Sequence, residues 1–459
     1  MSDAVHAGRF RPHLKHGAAA LLATALLGAA GCAQKLPRAV AERQHDAQSA
    51  CAPVKLAASA RFAADVLDTG LPTSGQWRDG FDLADLDGDG KLDLLHGPPR
   101  KGRGQPLIFR GDGSGHFSLW EKAHFPPLPY DYGDIKAADL NGDGRPDIAL
   151  AAHLRGVAVL INEGQGHFAP WNEGLALQTP ADQVGAPAFT SRALAVADWN
   201  RDGKPDLLAL NEGPSLLGGV GETHALALWF NRDGLWDRAK PERPLTSFGD
   251  SIAAGDIDGD GDMDAVLGLQ VSGARLALQL GDGNLFQSAE LRSLPLDATI
   301  SAVALRDFDR DGRLEVIDGT RALSGGQFCT LLQVVHGAGS GREKPQALWS
   351  AVSRDPVVAL AAGDIDGDGR DDLVAVRSGG EILSFAGTRR GFSRDLVIAP
   401  PAQMAQCNAF GAALADIDGD GRLELIVSYA GDDKGTGGPQ CASGGGFRAW
   451  RLHAAAGTR

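Results

Sequence analysis

Seven copies of one acidic nonapeptide are the residues of this chain whose types and spacing could do chemistry. The copies begin at intervals of 51 to 59 residues, and each places carboxylates or their amide equivalents at loop positions 1, 3, 5 and 9. In chain order they are DLDGDGKLD from Asp85, DLNGDGRPD from Asp139, DWNRDGKPD from Asp198, DIDGDGDMD from Asp256, DFDRDGRLE from Asp307, DIDGDGRDD from Asp364 and DIDGDGRLE from Asp416. Such regular recurrence indicates one structural unit used seven times.

Carboxylates at alternate positions of a tight loop repel one another unless a cation lies between them. A hard divalent ion accepts six to eight oxygens, and a ligand set made only of oxygen favours calcium over zinc or copper. The loops therefore predict about seven structural Ca²⁺ ions, bound by side chains at positions 1, 3, 5 and 9 and by the backbone carbonyl at position 7. These residues are Asp85, Asp87, Asp89, Lys91, Asp93, Asp139, Asn141, Asp143, Arg145, Asp147, Asp198, Asn200, Asp202, Lys204, Asp206, Asp256, Asp258, Asp260, Asp262, Asp264, Asp307, Asp309, Asp311, Arg313, Glu315, Asp364, Asp366, Asp368, Arg370, Asp372, Asp416, Asp418, Asp420, Arg422 and Glu424.

The nearest alternative is the EF-hand, which begins with the same pattern but requires a bidentate Glu at position 12 and flanking helices. Paired carboxylates could also mimic the acid and base of a glycosidase, but an active site is normally used once. The remaining alternative is a set of solvated acidic turns without metal. The EF-hand fails because position 12 is His96, Leu150, Ala209, Leu267, Asp318, Ala375 or Val427.

Short apolar runs flank every acidic loop and predict the elements that hold it. One run precedes each loop, a second follows it, and several repeats carry a third that ends in a glycine-rich turn and an aromatic residue, as at 107–117 and 159–168. The repeat is therefore expected to be strand, acidic loop, strand, strand, glycine turn, strand.

Four short strands in about 50 residues are the size of a propeller blade, so we expect an all-β, seven-bladed β-propeller over residues 61–459 with one acidic loop per blade. The ring must close, and segments 61–67 and 447–452 are expected to complete one blade together. An open β-solenoid is the competing architecture, although its rungs are usually much shorter.

The motif DxDxDGxxD on this period, with Phe248-Gly249 and Phe410-Gly411 just before two copies, resembles the FG-GAP/VCBS repeat. That repeat builds the head of integrin α-subunits and occurs in many exported bacterial proteins. The resemblance covers residues 61–459 and implies a seven-bladed propeller with calcium in hairpin loops on one face. Such propellers serve as adhesion modules, as lectins and in some cases as supports for lyases and dehydratases, so the repeat alone leaves the ligand open.

Composition and charge exclude two classes of protein. Hydrophobic residues make up 43% of the 459 residues and charged residues 22%, which excludes global disorder. The formal net charge of −14 argues against a nucleic-acid partner, which would need a basic face.

The N-terminus has the pattern of an export signal. Three basic residues precede a 13-residue apolar run that ends in Ala29-Ala30-Gly31-Cys32. Small residues directly before a cysteine resemble a bacterial lipobox, which implies a signal over 1–31 and a lipid on Cys32 as membrane anchor. The segment that follows is polar and low in large apolar residues, which predicts a tether over 32–60. Ala33 after the cysteine suggests an outer-membrane lipoprotein of the cell envelope, facing periplasm or surface. The alternative is an ordinary secretory signal with a chance cysteine.

Four cysteines remain after Cys32, an even number suited to an oxidising compartment. We favour a disulfide between Cys407 and Cys441 because both lie in the last repeat, with Cys51–Cys329 as a further possible pair. The alternative is free buried thiols.

Segments at the strand ends away from the acidic loops predict a ligand face, because aromatic and polar side chains on a rigid ring suit a sugar or protein ligand. The chain shows no nucleophile motif, so the sequence favours a non-catalytic binding or adhesion scaffold. The alternatives are a lectin-like carbohydrate binder and an enzyme such as a polysaccharide lyase or sugar dehydratase. The candidate ligand-face residues are Trp77, Tyr130, Tyr132, His96 and His153, with Arg78, Asp79, Asp131, Asn211, Glu212, Arg377 and Asp432 beside them.

Overall fold

The computed structural model describes most of the chain after residue 52. The described residues are 53–59, 61–100, 104–175, 177, 189–213, 224–240, 245–270, 273–280, 285–290, 298–324, 326–431 and 441–455, with the backbone alone given for 274–280, 285–290 and 324. Arg43–Arg459 forms one compact unit. The other unit, Met1–Glu42, lies outside the described residues, and so do the expected signal over 1–31, Cys32, most of the tether, Cys51 and Asp432.

Within the described residues, 28 strands form seven four-stranded antiparallel sheets, here called blades 1 to 7. Blade 1 is β2(Phe81–Ala84), β3(Asp93–His96), β4(Leu107–Gly111) and β5(Phe117–Leu119), and blade 2 is β6(Ile135–Ala138), β7(Asp147–Ala152), β8(Gly156–Gly164) and β9(His167–Pro170). Blade 3 is β10(Ser191–Ala197), β11(Asp206–Asn211), β12(Leu226–Arg232) and β13(Leu235–Arg238), and blade 4 is β14(Gly249–Gly255), β15(Asp264–Leu269), β16(Ala274–Leu280) and β17(Leu285–Glu290). Blade 5 is β18(Thr299–Arg306), β19(Glu315–Ser324), β20(Gln327–His336) and β21(Lys344–Val352), and blade 6 is β22(Val357–Gly363), β23(Asp372–Arg377), β24(Ile382–Thr388) and β25(Gly391–Ile398). Blade 7 is β1(Phe62–Leu67), β26(Asn408–Ala415), β27(Glu424–Ala430) and β28(Gly445–Ala454).

The ring closes through blade 7, whose order β1-β28-β27-β26 joins the beginning of the propeller to its end. β1 pairs antiparallel with β28, with Phe62 opposite Ala454 and Leu67 opposite Ala449. The first strands of consecutive blades also contact one another around the ring, and β26 contacts β2. The predicted all-β, seven-bladed propeller is therefore confirmed, together with the predicted shared blade, and the solenoid alternative is wrong.

The core lies between neighbouring blades. Second strands such as β7, β11, β15 and β27 are buried along their whole length, because each is covered by a sheet on both faces. Continuous apolar runs suit this position. One cluster packs Ala149 and Val159 of blade 2 against Leu207 and Trp229 of blade 3, and equivalent clusters fill other blade interfaces. The packing fixes the ends of the strands and so the loops that leave them.

A disulfide joins Cys407 to Cys441, with their Cα atoms 4.6 Å apart, and so ties the segment before β26 to the segment before β28. Cys329 is buried and is also disulfide-bonded. Among the described residues, no helix has the length and apolar character needed to cross a membrane.

Candidate metal loops and a central polar cavity

Each acidic loop joins the first strand of its blade to the second, so all seven loops leave the same ends of the inner strands. The carboxylate at position 1 organises the loop: Asp85 accepts hydrogen bonds from the backbone N–H groups of Gly88 and Gly90, both at 2.8 Å. These glycines have φ of 78° and 83°, which side chains rarely adopt. In all seven loops the N–H at position 6 donates to the carboxylate at position 1. The nonapeptide thus folds the same way each time.

The carboxylate at position 9 anchors the loop to its blade. In blade 1, Asp93 accepts the N–H of Leu86 at position 2 and the N–H of Gly111 on the third strand, each at 3.0 Å. The bond from position 2 is present in every loop. All seven position-9 carboxylates are at most 2% exposed: Asp93, Asp147, Asp206, Asp264, Glu315, Asp372 and Glu424.

Burial also makes four of these position-9 carboxylates electrostatically costly when ionised. It raises the pKa of Asp93, Asp147 and Asp206 to about 6 and that of Asp372 to about 7, although backbone N–H groups oppose the shift. Neighbouring loop carboxylates add to the shift, as Asp366 and Asp368 do at Asp372. A bound cation would remove this conflict.

The other carboxylates converge on the same points. Ligand oxygens lie within 4.8 Å of one another in Asp85/Asp87/Asp93, Asp256/Asp258/Asp260, Asp307/Asp309/Asp311 and Asp364/Asp366/Asp372. In loops 2 and 3, the amide oxygens of Asn141 and Asn200 each accept the N–H at position 5, at 2.9 Å. These residues fit an oxygen-ligated divalent cation, and calcium would supply charge neutralisation and up to eight coordination bonds.

Basic side chains also contact several loops. Arg110 pairs with Asp87, Arg61 contacts Asp368 at 2.7 Å, and Arg232 contacts Asp202 at 3.0 Å. Arg451 pairs with both Asp418 and Glu424 of loop 7. Further pairs of this kind are Arg145 with Asp143 and Arg201 with Asp262. These contacts offset part of the loop charge.

At the opposite ends of the inner strands, a polar cavity of about 750 Å³ lies on the propeller axis. Residues at the beginnings of the seven inner strands line it, including Lys136 of blade 2, Arg192 of blade 3 and Asp250 of blade 4. The lining carries four basic side chains, Arg78, Lys136, Arg192 and Arg321, and three acidic ones, Asp79, Asp134 and Asp250. The cavity is therefore rich in charge of both signs.

An ion-pair network crosses three blades along this cavity. The Arg192 guanidinium contacts Asp250 at 2.5 Å and Glu212 at 3.2 Å, and Glu212 pairs with His153 Nδ1 at 2.5 Å. The ring of Tyr132 stacks on His153 with centroids 4.5 Å apart. Burial tends to raise the pKa of Glu212, but the hydrogen bond and charge of His153 and the charge of Arg192 hold it below its usual value. The network fixes the cationic wall of the cavity.

Asp79 lines the cavity, and one of its carboxylate oxygens receives no hydrogen bond. It is a non-glycine residue with φ of 68°, and its Oδ2 is buried without a hydrogen-bond partner. Burial raises its pKa, while Arg192 and Arg78 oppose that shift. The Arg78 guanidinium lies 5.3 Å from the ring centroid of Tyr132 and 5.1 Å from that of Phe410. An orphaned buried acceptor beside cations and aromatic rings is typical of a site that receives a polar ligand.

The structure brings only part of the predicted ligand face to this cavity. Tyr132 and His153 lie behind its wall, where Tyr132 contacts Arg78 and His153 pairs with Glu212. Trp77 and His96 are buried in the blade 7–blade 1 interface, with rings 5.2 Å apart. Tyr130 is half-buried and donates its hydroxyl to the carbonyl of Pro126. Arg78 and Asp79 line the cavity, and Glu212 pairs with Arg192 of its wall. The other three described candidates make contacts elsewhere: Asp131 lies near Arg155, Asn211 donates to the carbonyl of His224, and Arg377 pairs with Glu381.

Sequence reasoning missed Lys136, Arg192, Asp250 and Phe410, which line the cavity. A signal for them exists in the repeat: each lies within the first few residues of an inner strand. When the repeats are aligned on their acidic loops, Arg192, Asp250 and Phe410 fall in one column and Lys136 falls in another, closer to its loop.

Comparison with known proteins agrees with the repeat architecture. Models of the FG-GAP-like repeat match residues 100–150 and 139–209, and a model of the FG-GAP repeat matches residues 357–391. A comparison with curated proteins found no match.

Similar solved structures include BBS1N in a crystal structure with ARL6DN, soaked with lead, and the N-terminal domain of Nup159. The first is 11% identical, with 85% of this chain and 97% of that chain covered and a TM-score of 0.48. The second is 9% identical, with 87% of this chain and 98% of that chain covered and a TM-score of 0.47. These two likenesses carry no inference about function. The chain therefore carries FG-GAP repeats over residues 100–209 and 357–391, within a propeller of seven four-stranded blades.

Proposed function

We propose that the protein is an exported, lipid-anchored and calcium-stabilised β-propeller that acts as a non-catalytic binding scaffold at the cell envelope. The observation that carries the proposal is the sevenfold acidic loop, in which a buried position-9 carboxylate ties two strands to a cluster of oxygen ligands. Repetition of the acidic loop in every blade favours a structural ion over a catalytic one. Export and the lipid anchor rest on the sequence pattern that ends at Cys32.

Calcium would stabilise the folded chain because the ligands converge only when the loop is folded. Ligands at positions 1, 3 and 5 lie in the loop, while position 9 begins the second strand. An ion that binds only the folded state stabilises it by RT ln(1 + [Ca²⁺]/Kd) for each site. Seven such sites on one edge would make the propeller rigid on that side and leave the other side to bind a partner.

The central cavity is the proposed ligand site. Its volume of about 750 Å³ suits a small group better than the flat face of a folded protein. Its nearly balanced charges, the unmet acceptor of Asp79 and the half-buried ring of Phe410 suit a ligand with many hydroxyl groups, since each hydroxyl both donates and accepts. A carbohydrate fits this description, which favours the lectin-like form of the proposal.

An array of defined glycans, probed with the calcium-loaded protein, tests the ligand assignment. The wild-type protein is expected to bind a subset of glycans, and Asp79→Asn is expected to weaken that binding because a hydrogen-bond acceptor becomes a donor. Asp65→Asn is the matched control, since Asp65 is an exposed aspartate on β1, with a side chain 74% exposed.

Two results would count against the assignment. Equal glycan binding by the wild type and Asp79→Asn would place the carbohydrate site outside the cavity. No glycan binding by the folded, calcium-loaded protein would exclude the lectin-like form. It would not bear on the calcium-stabilised scaffold, which is tested separately by measuring bound calcium.

A further inference from the structure

Loop 5 differs from the other loops because a histidine reaches its carboxylates. His336 ends β20, next to Val335, which pairs with Val316 of β19. This register sets the imidazole beside Glu315 at position 9. Its Nδ1 lies 3.4 Å from Glu315 Oε1 and 3.6 Å from Asp309 Oδ2.

The length of Glu315 makes this approach possible. Its Oε2 accepts the N–H of Phe308 at 2.8 Å, as the position-9 carboxylate does in every loop. The extra methylene relative to aspartate carries Oε1 to the imidazole, whereas in blades 1, 2, 3 and 6 the second oxygen accepts a third-strand N–H. Loop 7 also has glutamate at this position, but its neighbour is the permanently charged Arg451, which cannot bind a metal.

The three groups make a mixed nitrogen and oxygen ligand set. Asp309, Glu315 and His336 offer ligand atoms that all lie within 4.8 Å of one another. Ligands about 2.0–2.2 Å from a tetrahedral ion are themselves about 3.3–3.6 Å apart, close to the separations seen here. Calcium takes oxygen ligands, whereas imidazole suits zinc and its neighbours in the first transition row.

We propose that Asp309, Glu315 and His336 bind a divalent transition metal of the zinc type, so that one of the seven loops has a different metal preference from the rest. Glu315 is 2% exposed, His336 27% and Asp309 49%, so the site is anchored in the blade and open to solvent on one side. Three protein ligands leave a fourth position for water or a ligand. The imidazole also hydrogen-bonds Gln346, which orients the ring as outer partners of metal-binding histidines do.

A cavity of about 450 Å³, lined in part by Asp309 and His336, gives the ion a path to this site. Four arginines line the same cavity: Arg310, Arg370, Arg389 and Arg390. They repel a bare cation, so metal binding here would reflect the three ligands and not a diffuse negative potential.

Cobalt(II) is the probe for this site, because four-coordinate cobalt with a nitrogen ligand absorbs visible light more strongly than six-coordinate cobalt in an all-oxygen site. The full-length protein is titrated with Co²⁺ in excess calcium, which keeps the oxygen-only loops filled. We expect one equivalent of cobalt with strong visible absorption. His336→Asn and Asp309→Asn are each expected to abolish it. Because Asp309 is half exposed, its replacement should leave the fold intact, which an unchanged circular dichroism spectrum would establish.

His453→Asn is the matched control, since His453 is a partly exposed histidine whose Nε2 lies 3.0 Å from Asp65. It should bind cobalt like the wild type. Three results would overturn the proposal. They are cobalt binding that survives in His336→Asn, cobalt binding that is lost in His453→Asn, and cobalt binding with only the weak visible absorption of an oxygen site. The proposal rests on the acidic loops being metal sites, but calcium content is measured separately. Normal calcium binding without the cobalt equivalent would therefore refute this inference alone.

Discussion

Asp318 is a fully buried carboxyl group in β19, and its replacement by asparagine is expected to stabilise the protein above pH 6. Its Oδ1 accepts the hydroxyl of Thr320 at 2.5 Å and its Oδ2 accepts the amide of Gln333 at 2.9 Å. Burial raises its pKa to about 6, and these two hydrogen bonds only partly oppose that shift. The ionised group thus lacks a cationic partner in its hydrogen-bond shell.

The sign and size of the effect follow from the pKa difference. In the unfolded chain the pKa is near 3.9, so the folded state holds a proton that the unfolded state has lost between about pH 4 and pH 6. Stability therefore falls as pH rises through that range. Two pKa units correspond to about 3 kcal/mol, which is the cost of ionised Asp318 at neutral pH.

The asparagine side chain of the Asp318→Asn variant would carry no such cost, and rotation of the Gln333 amide can restore the hydrogen bond. For about 400 residues, an unfolding entropy of about 2.1 cal/mol/K per residue converts 3 kcal/mol into a rise in Tm of about 3–4 °C. The assay is thermal unfolding of the wild type and Asp318→Asn between pH 4 and pH 8 in excess calcium. We expect equal Tm values near pH 4 and a difference that grows to pH 6 and then levels.

Asp237→Asn is the control, because Asp237 is exposed on the outer strand β13 and the same change there should leave Tm nearly constant. A lower Tm for Asp318→Asn at every pH would refute the reasoning, because it would mean that the ionised carboxylate is better solvated or better paired than its burial implies.

Three further predictions concern the cysteines and the acidic loops. Cys407→Ser removes a disulfide that spans 34 residues and should lower stability by about 3–4 kcal/mol, and an unchanged Tm would show that the bond does not form in solution. Asp206→Asn should reduce bound calcium by one ion per chain and shrink the calcium-dependent rise in Tm, because Asp206 is the buried member of the proposed ligand set and also accepts the N–H groups of Trp199 and Asn231. Unchanged calcium content would remove Asp206 from that set. Cys32→Ser should abolish labelling by radioactive palmitate when the protein is expressed in a bacterium, and labelling that persists would exclude Cys32 as the lipid site.

The fold could be predicted because the acidic nonapeptide marks the same turn in every blade. The flanking apolar runs then fix the strand order, and the run at 61–67 is the one strand without a blade of its own, which made its pairing with the C-terminal strand predictable. The Cys407–Cys441 bond followed from their shared repeat. These features are local or periodic, so a single sequence contains them.

The cavity could not be predicted in the same way because its contacts join different blades. Arg192 of blade 3 pairs with Asp250 of blade 4, and Glu212, which follows β11, pairs with His153, which follows β7 of blade 2. These pairs depend on how the side chains of neighbouring blades meet. Trp77 and His96 were expected at an open face, yet both pack on Phe447 of blade 7, at 4.9 and 5.7 Å between ring centroids. The repeat pattern predicts that the ring closes, but it does not show which side chains of blades 7 and 1 then meet.

Likewise, the role of His336 depends on strand register. In the sequence it is one of 12 histidines and lies 21 residues after Glu315. Only the pairing of β19 with β20 brings the two together.

The calcium content of the purified full-length protein is the most direct test of the central claim. Protein equilibrated with calcium in a buffer free of transition metals would be analysed for bound metal per chain, and its thermal unfolding would be compared with and without a chelator. We predict close to seven calcium ions per chain and a large fall in Tm on chelation. Few or no bound ions, with a Tm that the chelator does not change, would contradict the claim and leave the seven acidic loops as turns held by their own hydrogen bonds.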